Sequence, residues 1–236
     1  MCVSRLTFMF EPLPGSTPDN NGNYLTEIPT EGTTEIWEIV NITADAHPIH
    51  LHLVQFQIIS RQAFNTTAYL AAYNKAFPGG GFDPMTGLPC APGVYCPGFG
   101  PPLALDGSDP LSNGKLGGNP DVAMLSKSGK PLYLQGKAKP PALYESGWKD
   151  TVVVYPGQVT RIVIRWAPTD LAAATAPADA FYPFDPSGGY TPATGFDYGY
   201  VWHCHIIDHE DNEMMRPDAV IPNTLATRLL LKGPDF

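Results

Sequence analysis

All six histidines of this 236-residue chain fall in two short segments, HPIHLH (His47, His50, His52) and HCHIIDH (His203, His205, His209), and the second encloses Cys204. Random placement would scatter them, so the clustering itself points to a metal. Imidazole serves zinc, copper, iron and nickel, whereas one added thiolate and a thioether move the choice toward copper. Zinc is the main competitor, because Cys/His spacing alone also suits it. A lone His-x-His is usually an ordinary surface or core pair. Two such pairs, one enclosing a cysteine and followed by His209 and Met214, are a different signal.

Strand geometry sorts these ligands. Successive side chains on a strand point to opposite faces. In His203-Cys204-His205 the two histidines share one face and Cys204 takes the other. His50 and His52 share a face, and His47 has the opposite parity, with Pro48 able to disturb the pattern locally. The simplest arrangement is two centres back to back. One uses His47, Cys204 and His209, with Met214 as a long axial ligand, the set of a blue-copper electron-transfer site. The other presents His50, His52, His203 and His205. Cys204 lies covalently between His203 and His205, so a thiolate-to-imidazole path joins the two. Met215 reads as core packing, since Met214 has the better spacing.

The elements that must hold these residues are short strands. Thr33–Thr43 alternates apolar and polar residues, Leu51–Ser60 follows it, and Tyr198–His205 is aromatic-rich and alternating. Asp150–Tyr155 and Val159–Trp166 flank Pro156-Gly157, which reads as a hairpin turn. High Pro (26) and Gly (23) contents argue against long helices and for an all-β sandwich or barrel. From about Phe64 to Gly147 runs a Gly/Pro-rich segment without a clear period, too long for an ordinary connection. A second Ala/Pro-rich stretch, Ala167–Gly195, precedes the last strand.

The length suits one large domain or two small ones. A net charge of −9 without a run of Lys or Arg excludes nucleic acid as a partner. No stretch approaches the roughly 20 apolar residues that span a membrane. Met1–Phe10 does not read as a secretory signal, and the compartment stays open. Cys90 and Cys96 are close enough for a local disulfide or can stand as two free thiols; Cys2 reads as an inert terminal thiol.

At the histidine segments the sequence resembles the multicopper oxidases, especially the branch of bacterial spore-coat laccases and bilirubin oxidases. The residues that carry the likeness are ADAHPIHLHLVQFQI (Ala44–Ile58), ESGWKDT (Glu145–Thr151) and YVWHCHIIDHEDNEMMRP (Tyr200–Pro217). It runs from about Arg5 to the end of the chain. The resemblance implies the family's carboxy-terminal domain, a cupredoxin-like Greek-key β-sandwich, here a single domain over 1–236 with an inserted loop region at about 64–147. It implies His47, Cys204, His209 and Met214 as type 1 copper ligands, His50 as a type 2 ligand, and His52, His203 and His205 as type 3 ligands. Glu210 matches an acidic residue that helps deliver protons to dioxygen; a surface-solvated glutamate is the alternative.

Complete members of that family contain two or three cupredoxin domains, and the amino-terminal one supplies four further histidines. No histidine precedes His47, so these residues offer half of a trinuclear cluster at most. The resemblance implies a laccase-like oxidase domain working with a small aromatic reductant and dioxygen, completed by a second cupredoxin domain or a second copy. The alternatives are an isolated type 1 electron-transfer module and a structural copper protein.

Overall fold

The computed structural model describes residues 29–76, 121–168, 182, 186, 200–211, 214–218 and 220. These form two four-stranded antiparallel sheets. The first, in the order β1-β6-β3-β4, contains β1 (Thr34–Asn41), β6 (Gln158–Arg165), β3 (Phe56–Phe64) and β4 (Leu134–Lys139). The second, in the order β5-β2-β7-β8, contains β5 (Thr151–Val154), β2 (His47–Leu51), β7 (Tyr200–Cys204) and β8 (Met215–Asp218).

Alternation decides which side chains meet between them. Trp37 and Ile39 of β1, Phe56 and Ile58 of β3, and Ile162 and Ile164 of β6 point inward from the first sheet. Ile49 and Leu51 of β2, Val152 and Val154 of β5, and Trp202 and Cys204 of β7 answer them from the second. One apolar cluster therefore spans both sheets, which is the cupredoxin-like sandwich that the resemblance implies. At its middle Trp37 lies edge-on to Trp202 and tilted against Trp166, with ring centroids 5.9 and 5.8 Å apart.

Two connections differ from the sequence reading. Leu51–Ser60 is not one strand: β2 ends at Leu51 and β3 begins at Phe56, each in a different sheet. The four residues between them carry the chain across the sandwich, with Leu53 at a φ of 70°. Pro156-Gly157 is not a hairpin turn either. β5 pairs with β2 and β6 with β1 and β3, so this turn is also a crossing between sheets. Gly157 takes a φ of 66°, and its N–H donates to Asn41 O at 2.9 Å while its carbonyl accepts from Phe64 N–H at 2.8 Å. Both corners were invisible to periodicity, because apolar alternation looks the same on either sheet.

The 64–147 segment also contains built structure at its described ends. Helix α1 (Thr66–Ala76) starts at Asn65, whose Oδ1 accepts Ala68 N–H at 3.0 Å. Tyr69 of α1 packs with Phe64, Val40, Val159, Val122, Met124 and Tyr133 into a second cluster on the outer face of the first sheet. β4 then pairs with β3. Residues 77–120, with Cys90 and Cys96, and Cys2 lie outside the described residues, as does most of Ala167–Gly195. Among the described residues no helix is long and apolar enough to cross a membrane.

Candidate metal centres

β2 and β7 are neighbours in the second sheet, and their register sets Ile49 opposite Cys204 and His50 opposite His203. Along β2, burial alternates, with His47, Ile49 and Leu51 buried and Pro48 and His50 half-buried. His47 and Cys204 thus point into the sandwich, and Pro48 leaves the pattern intact. The chain then turns after β7 through the short helix α2 (Ile207–Glu210), which brings His209 back over Cys204. Cys204 Sγ lies 3.6 Å from His47 Nδ1 and 3.7 Å from His209 Nδ1, and the two Nδ1 atoms are 3.2 Å apart. An ion with bonds of roughly 2.0 Å to nitrogen and about 2.3 Å to sulfur subtends edges of about 3.3–3.8 Å, so the triangle fits a metal of this class.

Met214 is buried in the same apolar cluster as Cys204, just ahead of β8. Its N–H donates to His209 O at 3.0 Å and its carbonyl accepts Cys204 N–H at 2.9 Å. Met215, the rejected candidate, is half-buried.

A second group, His50, His52 and His203, gathers its ligand atoms within 4.8 Å of one another. His203 Nε2 lies 3.3 Å from His52 Nε2. Acceptors that cannot donate fix two of these rings. His50 Nδ1 is 3.0 Å from Asp150 O, so it carries the proton and Nε2 keeps the lone pair. His203 Nδ1 donates to Cys204 O at 3.1 Å, with Glu210 Oε2 at 3.3 Å beside it, and again Nε2 is free. His205 is exposed; its ring centroid lies 5.4 Å from that of His203 and 5.7 Å from that of His50, and its ligand atoms stand outside the triplet.

Burial shifts the protonation of His47, His52 and Cys204. It lowers the pKa of His47, with His209 adding to the effect, and that of His52, with His50 and His203 adding. It raises the pKa of the Cys204 thiol. Before metal binds, the His47 and His52 imidazoles are ready to donate lone pairs and the Cys204 thiol still holds its proton, which a metal must displace.

The residues that support these ligands went unassigned in the sequence. Glu145, in a 3-10 turn over Leu143–Glu145, takes both arms of Arg61 at 2.7 and 2.6 Å, and Arg61 also donates to Val153 O at 2.9 Å. Phe56 and Lys149 exchange backbone hydrogen bonds at 2.7 and 2.9 Å. Together these clamp the ESGWKDT segment to β3 and β5, and the same segment brings Asp150 O and Thr151 Oγ1 to His50, at 3.0 and 3.1 Å. The available signal was the ESGWKDT string itself, a polar run whose last residue, Thr151, opens the Val-rich β5.

Comparisons with known proteins agree with this chemistry. A multicopper oxidase family model matches residues 7–79. The chain is similar to multicopper oxidase LPR1 of Arabidopsis thaliana, 35% identical over 84% of this chain and 24% of that protein. It is similar to a laccase of Bacillus subtilis, 32% identical over 82% of this chain and 21% of that protein. Among solved structures, the McoA multicopper oxidase of Aquifex aeolicus aligns with 93% of this chain and 29% of that one, at 19% identity and a TM-score of 0.42, a likeness too slight to add to the fold described above. The chain spans about a quarter of the length of the curated relatives it matches. With both histidine motifs drawn together around a buried cysteine, and relatives of one kind across most of its length, the chain belongs to the multicopper oxidases, a copper-dependent family.

Proposed function

We propose that residues 1–236 are a single cupredoxin domain of a laccase-like copper oxidase. His47, Cys204 and His209 would hold a type 1 copper, with the thioether of Met214 as a weak further ligand. His50, His52, His203 and His205 supply half the ligands of a trinuclear copper site. Copper bound there supplies one-electron chemistry, taking electrons from a phenolic or similar aromatic reductant and delivering them to dioxygen, which becomes water. The remaining histidines come from outside these residues, from a further cupredoxin domain or a second copy, because all six present are already used.

The protein's own residues have separate tasks. Cys204 provides the thiolate and links the centres through its covalent bonds to His203 and His205. Its carbonyl adds a hydrogen-bonded route to His203 Nδ1. Glu210, half-buried beside that nitrogen, orients His203 and is the acidic group available to move protons on this face. The observation that carries the reading is the buried Cys204 thiol set between two imidazole nitrogens at 3.6 and 3.7 Å.

A second reading, an isolated type 1 electron-transfer module, is favoured by the position of His205 outside the three-histidine group. Copper content per chain after anaerobic loading, recorded with the visible spectrum and with oxygen uptake on a phenolic donor, tests both. Several coppers and oxygen uptake support the oxidase domain. One copper with an intense blue band and no uptake supports the module. No blue band at any loading overturns both.

A further inference from the structure

The proton on His47 is placed by a chain of hydrogen bonds that begins at Asn41. Asn41 is fully buried at the end of β1, and its amide can sit only one way. Nδ2 lies 2.7 Å from Asp45 O and 2.9 Å from Val154 O, and carbonyl oxygens only accept, so the nitrogen must face them. Oδ1 therefore faces Thr43, accepting its backbone N–H at 2.8 Å and its hydroxyl at 2.8 Å. The other oxygen near that hydroxyl, Asp45 O at 3.2 Å, is also purely an acceptor.

Thr43 Oγ1 also lies 2.7 Å from His47 Nε2. A hydroxyl has one proton. If Thr43 turned it toward His47, Oγ1 and Asn41 Oδ1 would face each other at 2.8 Å with no hydrogen between them, a repulsive contact at hydrogen-bond distance. The hydroxyl proton stays on the Asn41 side, and Oγ1 accepts from His47. We infer that Thr43, oriented by Asn41, is a positioning residue that fixes His47 as the Nε2–H tautomer and aims its Nδ1 lone pair at Cys204 Sγ and His209 Nδ1. The proton order is then opposite to that of His50 and His203, which carry theirs on Nδ1. His47 is thus set apart by tautomer from His50 and His203 before any metal arrives. The value of this order for copper rests on the reading given under Proposed function; the tautomer itself does not.

The test is two-bond 1H–15N correlation spectroscopy of metal-free protein labelled at histidine nitrogen, in neutral solution, together with copper(I) affinity measured by competition with a chelator. In the unaltered protein His47 should show a protonated Nε2 and an unprotonated Nδ1. Thr43→Val, nearly isosteric, should give a mixed or reversed tautomer and weaken copper(I) binding by about 10- to 100-fold, the usual effect of losing a partner that orients a ligand. Thr43→Ser should restore both. His47 protonated on Nδ1 in the unaltered protein, or a tautomer unmoved by Thr43→Val, overturns the inference. If the tautomer is as assigned and yet Cys204→Ser leaves copper(I) affinity unchanged, the copper-site reading fails while the tautomer assignment stands.

Discussion

The carbonyl of Cys204 accepts a hydrogen bond from His203 Nδ1 at 3.1 Å, while the thiol of the same residue faces His47 and His209. One residue thus serves two centres with different atoms. Strand alternation accounts for the split: at the end of β7 the Cys204 side chain enters the sandwich, and the side chain of His203 turns to the opposite face.

That division makes Cys204→Ser informative. It removes the thiolate and keeps the carbonyl, so the His203 ring retains its hydrogen bond. We expect complete loss of any intense visible band and one copper fewer per chain, with metal at the three-histidine group retained. Metal analysis beside the electron paramagnetic resonance spectrum checks this. A serine variant that stayed blue would sink the assignment of the first centre.

Met214→Leu tests the proposed thioether ligand. The backbone of Met214, held by His209 O and Cys204 N–H, fixes where the residue sits, so a leucine of similar volume keeps that place. The stability change should be under about 1.5 kcal/mol. The blue band should survive and the reduction potential should rise, because the weak thioether ligand is gone. Spectroelectrochemical titration reads the potential; loss of all copper instead would mean that the thioether holds the site together.

The grouping of the candidate ligands was legible in the sequence because it depends on residue type and parity, and β2 and β7 preserve both. His47 and His50 fall on opposite faces of β2 as their spacing requires, and His209 returns through α2 to complete the triangle. The supports were not legible, because they are distant in sequence and chemically ordinary. Arg61 meets Glu145 across 84 positions, and Asn41 meets Val154 across 113. The sheet crossings at residues 52–55 and 156–157 escaped for a related reason. Partner choice is set by which strand lies alongside, and neither corner announces it locally.

Copper uptake should depend on pH through the thiol. Burial raises the Cys204 pKa and lowers those of His47 and His52, so at neutral pH these two imidazoles are deprotonated and the thiol is the group that gives up a proton on binding. Apparent affinity should then rise about tenfold per pH unit through the neutral range for one proton released. Calorimetric titration in buffers of different ionisation enthalpy counts that proton. The same shift acts on the metal-free fold with a fixed sign. A group whose folded pKa is raised lends stability below its unfolded pKa and loses it as pH climbs through the folded value. The metal-free protein should therefore weaken in alkaline solution, and the copper-loaded protein should lose less, as melting temperatures from neutral to alkaline pH will show.

The Arg61–Glu145 pair is only 12% and 13% exposed at its side chains, so its guanidinium–carboxylate bonds are largely shielded from water. Arg61→Ala leaves the carboxylate without its partner at a cost of about 3 kcal/mol. The arginine's hydrogen bonds are the main cause of the lowered pKa of Glu145. Stability from the pair is thus present above the unfolded carboxylate pKa and fades as pH falls through the folded one. Urea unfolding near neutrality should separate Arg61→Ala from the unaltered protein clearly, and unfolding in strong acid should bring them together. The pair also clamps the segment that carries Asp150 and Thr151 to His50, so the variant should lose copper from the three-histidine group more readily than from the Cys204 centre. If copper leaves both centres equally, the clamp supports the fold as a whole and His50 is oriented by other means.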